Sequence, residues 1–314
     1  MNQICFFTII FSDVAMSEPK IVAVFPGQIS FDPRIGMQLL ESSENVRKSV
    51  AISSKYANID MIALLENPSN LHRPSLVQPI MTALSLGAYF DLHAHIPVDF
   101  LMGFADGETA AWGVSGSITP MDAIRYSLIK GRIIESESNK KPGAMIAVRG
   151  DDETFQRILE IGRQNGKLYL AGQYHSRECI FAGTPAAIQV VHQVFRGHVL
   201  PNTGALHSPL MSSAQQQLQR YVSNMVINDA NVPIIGNVSG KLTTSSHELQ
   251  QLILNQIVQP IQWASCVRAV PAKSIFVTLG FHQGLENLIR RNTNARVLPA
   301  TSISAIKAIA KRSK

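Results

Sequence analysis

Gly103-Phe104-Ala105-Asp106-Gly107-Glu108 carries glycines two residues before and two residues after a central position. That is the spacing of a nucleophile elbow, in which the glycines permit a tight strand-to-helix turn that lifts the central side chain to the mouth of a sheet. Such a turn serves nucleophilic attack, with the next backbone N–H helping to bind an oxyanion. Here the centre is Ala105, which has no nucleophilic atom, and the spacing alone also fits a plain strand–turn–helix connection. No neighbour is expected to replace it. Thr109 falls inside the helix behind the turn, the Asp106 side chain leaves the elbow in a different direction, and Ser208 belongs to the turn of His207. His207, taken by itself, reads as a packed, hydrogen-bonded residue of its turn.

The elements that must position these residues follow from apolar patterning. Ile21–Phe25 is a continuous apolar run, as expected of a strand buried on both faces of a parallel sheet, and it enters a turn at Pro26-Gly27-Gln28. Residues 36–66 read as helical, Leu76 to Leu92 as a second helix, and 98–103 as another buried strand. Helices follow at 107–117 and 120–136. After the linker-like Asn139–Gly143, short strands and helices alternate over residues 144–196, the pattern of a small β-α-β-β-α-β unit. Residues 208–227 and 246–258 read as helices and 232–237 as a strand. Ile275–Gly280 is expected to be the final strand. The implied fold class is α/β: a parallel-sheet domain carrying a small inserted α+β unit, with any site at the carboxyl ends of the strands.

Composition narrows the function classes. The 314 residues are 46% hydrophobic and only 16% charged, enough for a large core. Net charge is +6, but the charges are scattered and aromatic–basic interleaving is absent, which argues against nucleic acid. No apolar run reaches the length of a membrane span. The short run Ile4–Phe11 lacks a preceding basic region, so it reads as an extension ahead of a start at Met16 and not as a signal segment. Three widely spaced cysteines and nine histidines without ligand spacing argue against a metal site or disulfide framework and fit a reducing, cytoplasmic compartment. His93-Ala94-His95 reads as solvated.

Seven ordered blocks then carry a resemblance. Phe25-Pro26-Gly27-Gln28, Val77-Gln78-Pro79, Gly103–Glu108, Gly204–Met211, Pro233–Gly240, Gln259–Trp263 and Gly280–Arg291 together resemble the malonyl-CoA:acyl-carrier-protein transacylases and the acyltransferase domains of polyketide synthases. The resemblance runs from about Ile21 to Arg291. It implies an acyltransferase fold: an α/β-hydrolase-like subdomain over 18–141 and 205–296, and a ferredoxin-like subdomain over 142–204. Residues 1–17 are then an extension without fixed structure, and 297–314 a basic tail. It implies an acyl carrier protein or polyketide synthase component as partner. An acyl-CoA or phosphopantetheine thioester is the implied ligand, with no bound cofactor.

Residue by residue, the resemblance makes His207 the base and Ala105 the position of the family's serine. The backbone N–H groups of Gln28 and Asp106 become the oxyanion hole. Lys130 falls where the family's arginine pairs with the malonyl carboxylate, and Phe104 where a histidine precedes the serine. At Leu206, many malonyl-selective domains carry phenylalanine, which implies a small acyl pocket. The departures gather at the site: Ala105, Phe104, Asp106, Lys130, Phe31 and Phe281. Lysine keeps the charge but loses the bidentate fork that matches a carboxylate. Asp106 is expected to oppose an oxyanion. The implied function is a degenerate acyltransferase that binds a carrier or thioester without acyl-enzyme chemistry. The alternative is a repurposed hydrolase, lyase or isomerase with His207 as base.

Overall fold

The computed structural model describes residues 18–200, 204–279 and 283–312. The expected extension 1–17 and the Gly280-Phe281 start of the last block lie outside the described residues.

Strand β1 (Ile21–Phe25) is buried along its whole length. Where one helical stretch is expected over 36–66, three helices form: α1 (Pro33–Ser42), α2 (Glu44–Ala57) and α3 (Met61–Glu66). The breaks are set by capping chemistry. Ser43 accepts a hydrogen bond from the Val46 N–H, Asn58 takes a left-handed conformation, and Asp60 accepts from the Ala63 N–H. Then come α4 (Pro74–His93), β2 (Phe100–Gly103), α5 (Glu108–Ser115) and α6 (Pro120–Lys140), the last capped by Thr119 with Pro120 at its first position. α6 runs into the stretch that reads as a linker.

Next follow β3 (Ala144–Arg149), α7 (Asp152–Gln164), β4 (Leu168–His175), β5 (Glu178–Gly183), α8 (Pro185–Phe195) and β6 (His198–Leu200). The chain continues through α9 (Ser212–Val222), β7 (Ile234–Ile235), β8 (Leu242–Thr243), α10 (Ser246–Asn255), α11 (Trp263–Arg268), β9 (Ile275–Thr278), α12 (Gln283–Arg290), β10 (Arg296–Pro299) and α13 (Ile303–Arg312).

Two sheets result. The six-stranded sheet has the order β10-β9-β1-β2-β7-β8, parallel except for the β7–β8 pair. The four-stranded antiparallel sheet has the order β4-β5-β3-β6, and its strands fall between residues 144 and 200. Each has its own apolar core. The small sheet meets the larger unit at Gly172, which bridges to Ile261 ahead of α11, and at Tyr174, which packs on Phe104 just after β2.

Two expectations need correction. β9 is not the final strand: β10 pairs parallel with it at the sheet edge. Residues 297–314 are not simply a basic tail, because Val297, Ala300, Ile306 and Ile309 are buried in the main core. Lys307 and Lys311 of α13 are exposed on its other face, and the basic residues hide the helix's apolar spacing.

Candidate active site

β2 ends at Gly103, and the chain turns through Phe104 into a single 3-10 turn over Ala105–Gly107 before α5. Ala105 sits at φ +50, the left-handed region that a residue with a Cβ seldom occupies. The strain is held from both sides. Asn237 Nδ2 donates to the Gly103 carbonyl at 2.7 Å, its Oδ1 accepts from the Ala105 N–H at 3.0 Å, and Gln256 Nε2 donates to the Ala105 carbonyl at 2.9 Å. The flanking glycines are steric necessities. A Cβ on Gly103 would lie 2.1 Å from the Glu108 nitrogen, and one on Gly107 would lie 2.4 Å from the Pro26 carbonyl oxygen. The backbone is that of an elbow, and the side chain at its apex is a methyl group.

His207 lies in a turn at φ +57, its N–H donating to the Ile257 carbonyl. Its Nδ1 is 2.7 Å from the Gln256 carbonyl oxygen. A carbonyl can only accept, so Nδ1 carries the proton and the neutral ring keeps its lone pair on Nε2. Burial pushes its pKa below the usual value; the Gln256 hydrogen bond and the Asp106 charge only partly offset this. The ring is therefore neutral at pH 7, in the form a base requires.

Gln256 ties the cluster together. Besides Ala105 and His207, it meets Glu108 Oε2 through Nε2 at 2.5 Å and accepts from Lys130 Nζ through Oε1 at 3.2 Å. Lys130 Nζ also lies 3.0 Å from Asp106 Oδ1 and 3.3 Å from Thr109 Oγ1. These side chains are deeply buried, Lys130 1% and Asp106 7% exposed. Two expectations change here. Lys130 faces the chain's own carboxylate, and Asp106 is turned into an ion pair and does not stand unpaired beside an oxyanion. Thr109 Oγ1 is engaged by Lys130, and Ser208 Oγ donates to the Ala205 carbonyl.

The Gln28 N–H opens the 3-10 turn Gln28–Ser30, and that of Asp106 lies in the turn Ala105–Gly107. The two turns pack against each other. N–H groups at the start of such turns have no intrahelical acceptor, so both are suited to an oxyanion. The Gln28 side chain donates to the His72 carbonyl at 3.3 Å, while its buried Oε1 has no partner.

Phe104 is enclosed edge-to-face by Trp263, with centroids 4.9 Å apart, and by Tyr174 at 5.1 Å. It locks the elbow to the four-stranded sheet. Its other contact is a cleft of ~280 Å³ between that sheet and α12, lined also by Ser30, Arg149, Tyr174, Leu200 and Arg291. Leu206 is buried in the main core, in the same apolar cluster as Phe104 and Ala105.

Sequence reading singles out Ala105, Asp106, Lys130 and His207, and the structure brings all four together. It misses Asn237, Gln256 and Glu108 as site residues. Asn237 and Glu108 fall inside blocks already matched, which is the signal that could have found them.

Glu108 is fully buried. Burial raises its pKa from 4.5 to about 7 despite hydrogen bonds from the Asn237 N–H and Gln256 and the nearby Lys130. Its folded pKa exceeds its unfolded value, so the folded state holds the extra proton in that window. Stability from this group is therefore full below 4.5 and lost as pH rises through about 7, by about 3 kcal/mol. His207 acts oppositely: its lowered pKa makes stability rise with pH up to its unfolded value. Urea unfolding between about pH 5 and about pH 8 should show Glu108→Gln losing the fall at higher pH. An unchanged pH slope would mean that the Glu108 carboxyl is ionised throughout.

Among the described residues no group of three metal-ligating side chains is present, and no helix is long and apolar enough to cross a membrane.

Known proteins are similar to this chain in sequence or in fold. A highly reducing polyketide synthase of Sordaria araneosa is 25% identical over 314 residues, covering 90% of this chain and 10% of that one. The polyketide biosynthesis protein ThaF of Burkholderia thailandensis is 27% identical over 282 residues, covering 85% of this chain and 24% of that one. The chain thus spans only a small part of these two relatives. Among solved structures, the malonyl CoA-acyl carrier protein transacylase of Coxiella burnetii superposes with a TM-score of 0.87 at 21% identity, covering 94% of this chain and 98% of that one. A malonyl-transacylase solved in complex with a type II polyketide synthase acyl-carrier protein gives 0.87 at 19% identity, covering 93% and 99%. The two-sheet architecture is the acyltransferase fold of these structures. The family described as the acyl transferase domain matches residues 22–309, nearly the whole described chain, and the protein belongs to that family.

Proposed function

We propose that this chain is a degenerate acyl transferase of polyketide or fatty-acid biosynthesis that binds an acyl carrier protein or acyl thioester without forming an acyl-enzyme. Ala105 carries the reading: a strained, side-chain-clamped elbow is maintained around an apex that has no nucleophile. Without one, transfer through a covalent intermediate cannot run, and oxyanion donors alone leave a small residue of catalysis. The family membership, the polyketide relatives and the carrier-bound neighbour all support this pathway class. On this reading, residues 18–141 with 205–296 form the elbow-bearing subdomain, and 142–204 form the unit that closes over it. The thioester arm enters through the cleft beside Phe104.

A second reading is kept because one observation favours it. His207 has its proton fixed on Nδ1 and its Nε2 lone pair available, so it can act as a base on a tethered acyl chain.

Carrier proteins are typically acidic and this chain is +6, so binding should be salt-sensitive. Titrating an acyl-loaded carrier by calorimetry, we expect affinity to fall about 10-fold between about 50 mM and about 500 mM NaCl. No detectable association at the lower salt would overturn the carrier-binding reading.

A further inference from the structure

We infer that Asp106 is a specificity-determining residue that closes this site to carboxylated acyl groups and leaves it for uncharged ones. The inference rests on the thioester-binding reading above. An ammonium has three N–H donors and no acceptor. The three donors of Lys130 are matched by three oxygens of the chain itself: Asp106 Oδ1 at 3.0 Å, Thr109 Oγ1 at 3.3 Å and Gln256 Oε1 at 3.2 Å. The Tyr126 ring flanks the same ammonium, with Nζ 5.5 Å from its centroid. No donor of Lys130 is left for a ligand.

The charge of Lys130 is also met within the cluster, where Glu108, with its pKa raised to about 7, can add only negative charge. Lys130 and Asp106 neutralise each other, and both are buried. An acyl chain ending in a carboxylate would bring a third charge into this enclosure and find its counter-ion already taken. An unpaired anion out of water is strongly disfavoured. An uncharged acyl chain meets no such penalty beside Ala105, Phe104 and Trp263. Asp106 thus occupies, from within the chain, the place a substrate carboxylate would take at Lys130.

Two experiments separate this inference from the reading beneath it. In the first, Ala105→Ser supplies a nucleophile, and intact mass reports the acyl-enzyme formed with butyryl-CoA or malonyl-CoA. We expect butyryl labelling at least about 100-fold faster than malonyl labelling. Comparable labelling by both overturns the role of Asp106 while leaving thioester binding intact. Labelling by neither removes the thioester reading, and the second experiment still decides the Asp106 claim.

That experiment needs no nucleophile. Free malonate is added to the otherwise unaltered protein and to Asp106→Ala, which leaves Lys130 unpaired with a vacant volume beside it. Malonate should raise the Tm of Asp106→Ala by about 3 °C and leave the parent unmoved. Asp106→Ala/Lys130→Met should not respond. Where Asp106→Ala fails to fold alone, recovery of soluble protein in malonate but not in chloride is the equivalent result. A malonate response in the parent equal to that of the variant, or none in Asp106→Ala, overturns the inference.

Discussion

On the proposed function, Ala105→Ser is expected to form an acyl-enzyme where the parent forms none. The elbow is ready for the side chain. Its apex is already at φ +50, and both backbone polar groups of Ala105 are held, the N–H by Asn237 and the carbonyl by Gln256. None of these bonds involves the Cβ, so adding one oxygen leaves them in place. His207 is neutral, with its tautomer fixed by the Gln256 carbonyl. Restoring the nucleophile should raise thioester cleavage by at least about 10³-fold, since removing one from such a site costs up to about 10⁶. Ala105→Ser/His207→Ala should lose most of that gain. A folded Ala105→Ser protein with no adduct would mean that the elbow no longer meets a thioester.

Breaking the Lys130–Asp106 pair should carry the largest stability change at the site. Both side chains are buried, so removing either strands a charge away from water. Lys130→Met or Asp106→Ala alone should cost about 3–5 kcal/mol, and the double variant should recover most of the loss. The urea midpoint would move in the singles and return in the double with the slope unchanged. Additive losses would show that the two charges act independently. The pair matters in a second way: Gln256 Oε1 shares Lys130, and the same residue holds Ala105 and His207. Single variants at the pair should therefore also loosen the elbow.

What was legible in the sequence was what local chemistry decides. The glycines of 103–107 and the apolar run of β1 announce a strand, an elbow and a parallel sheet, whereas the reading of 36–66 as one helical stretch passes over the break that the Ser43 cap makes. The missed features depend on distant partners. Asn237 meets Ala105 across 132 residues of sequence, and its amide looks like any loop asparagine until the fold closes. Gln256 lies just before the block beginning at Gln259 and has no motif of its own. Lys130 and Asp106 are both visible as departures from the family pattern, but their mutual neutralisation follows only from α6 packing on α5. α13 was hidden by its lysines, because charge density outweighed the apolar spacing of Ile306 and Ile309.

The central claim is an acyl-thioester site without acyl-enzyme chemistry. Its most direct test is intact mass of both components after incubating the unaltered protein with acyl-loaded carriers and acyl-CoAs, with His207→Ala alongside. The expected result is no adduct on the protein, no His207-dependent change in the carrier's acyl group, and co-elution of carrier and protein. Chromatography of the recovered chains covers isomerisation, which mass does not see. An acyl adduct on the Ala105 protein, or a carrier acyl group altered only when His207 is present, would contradict it.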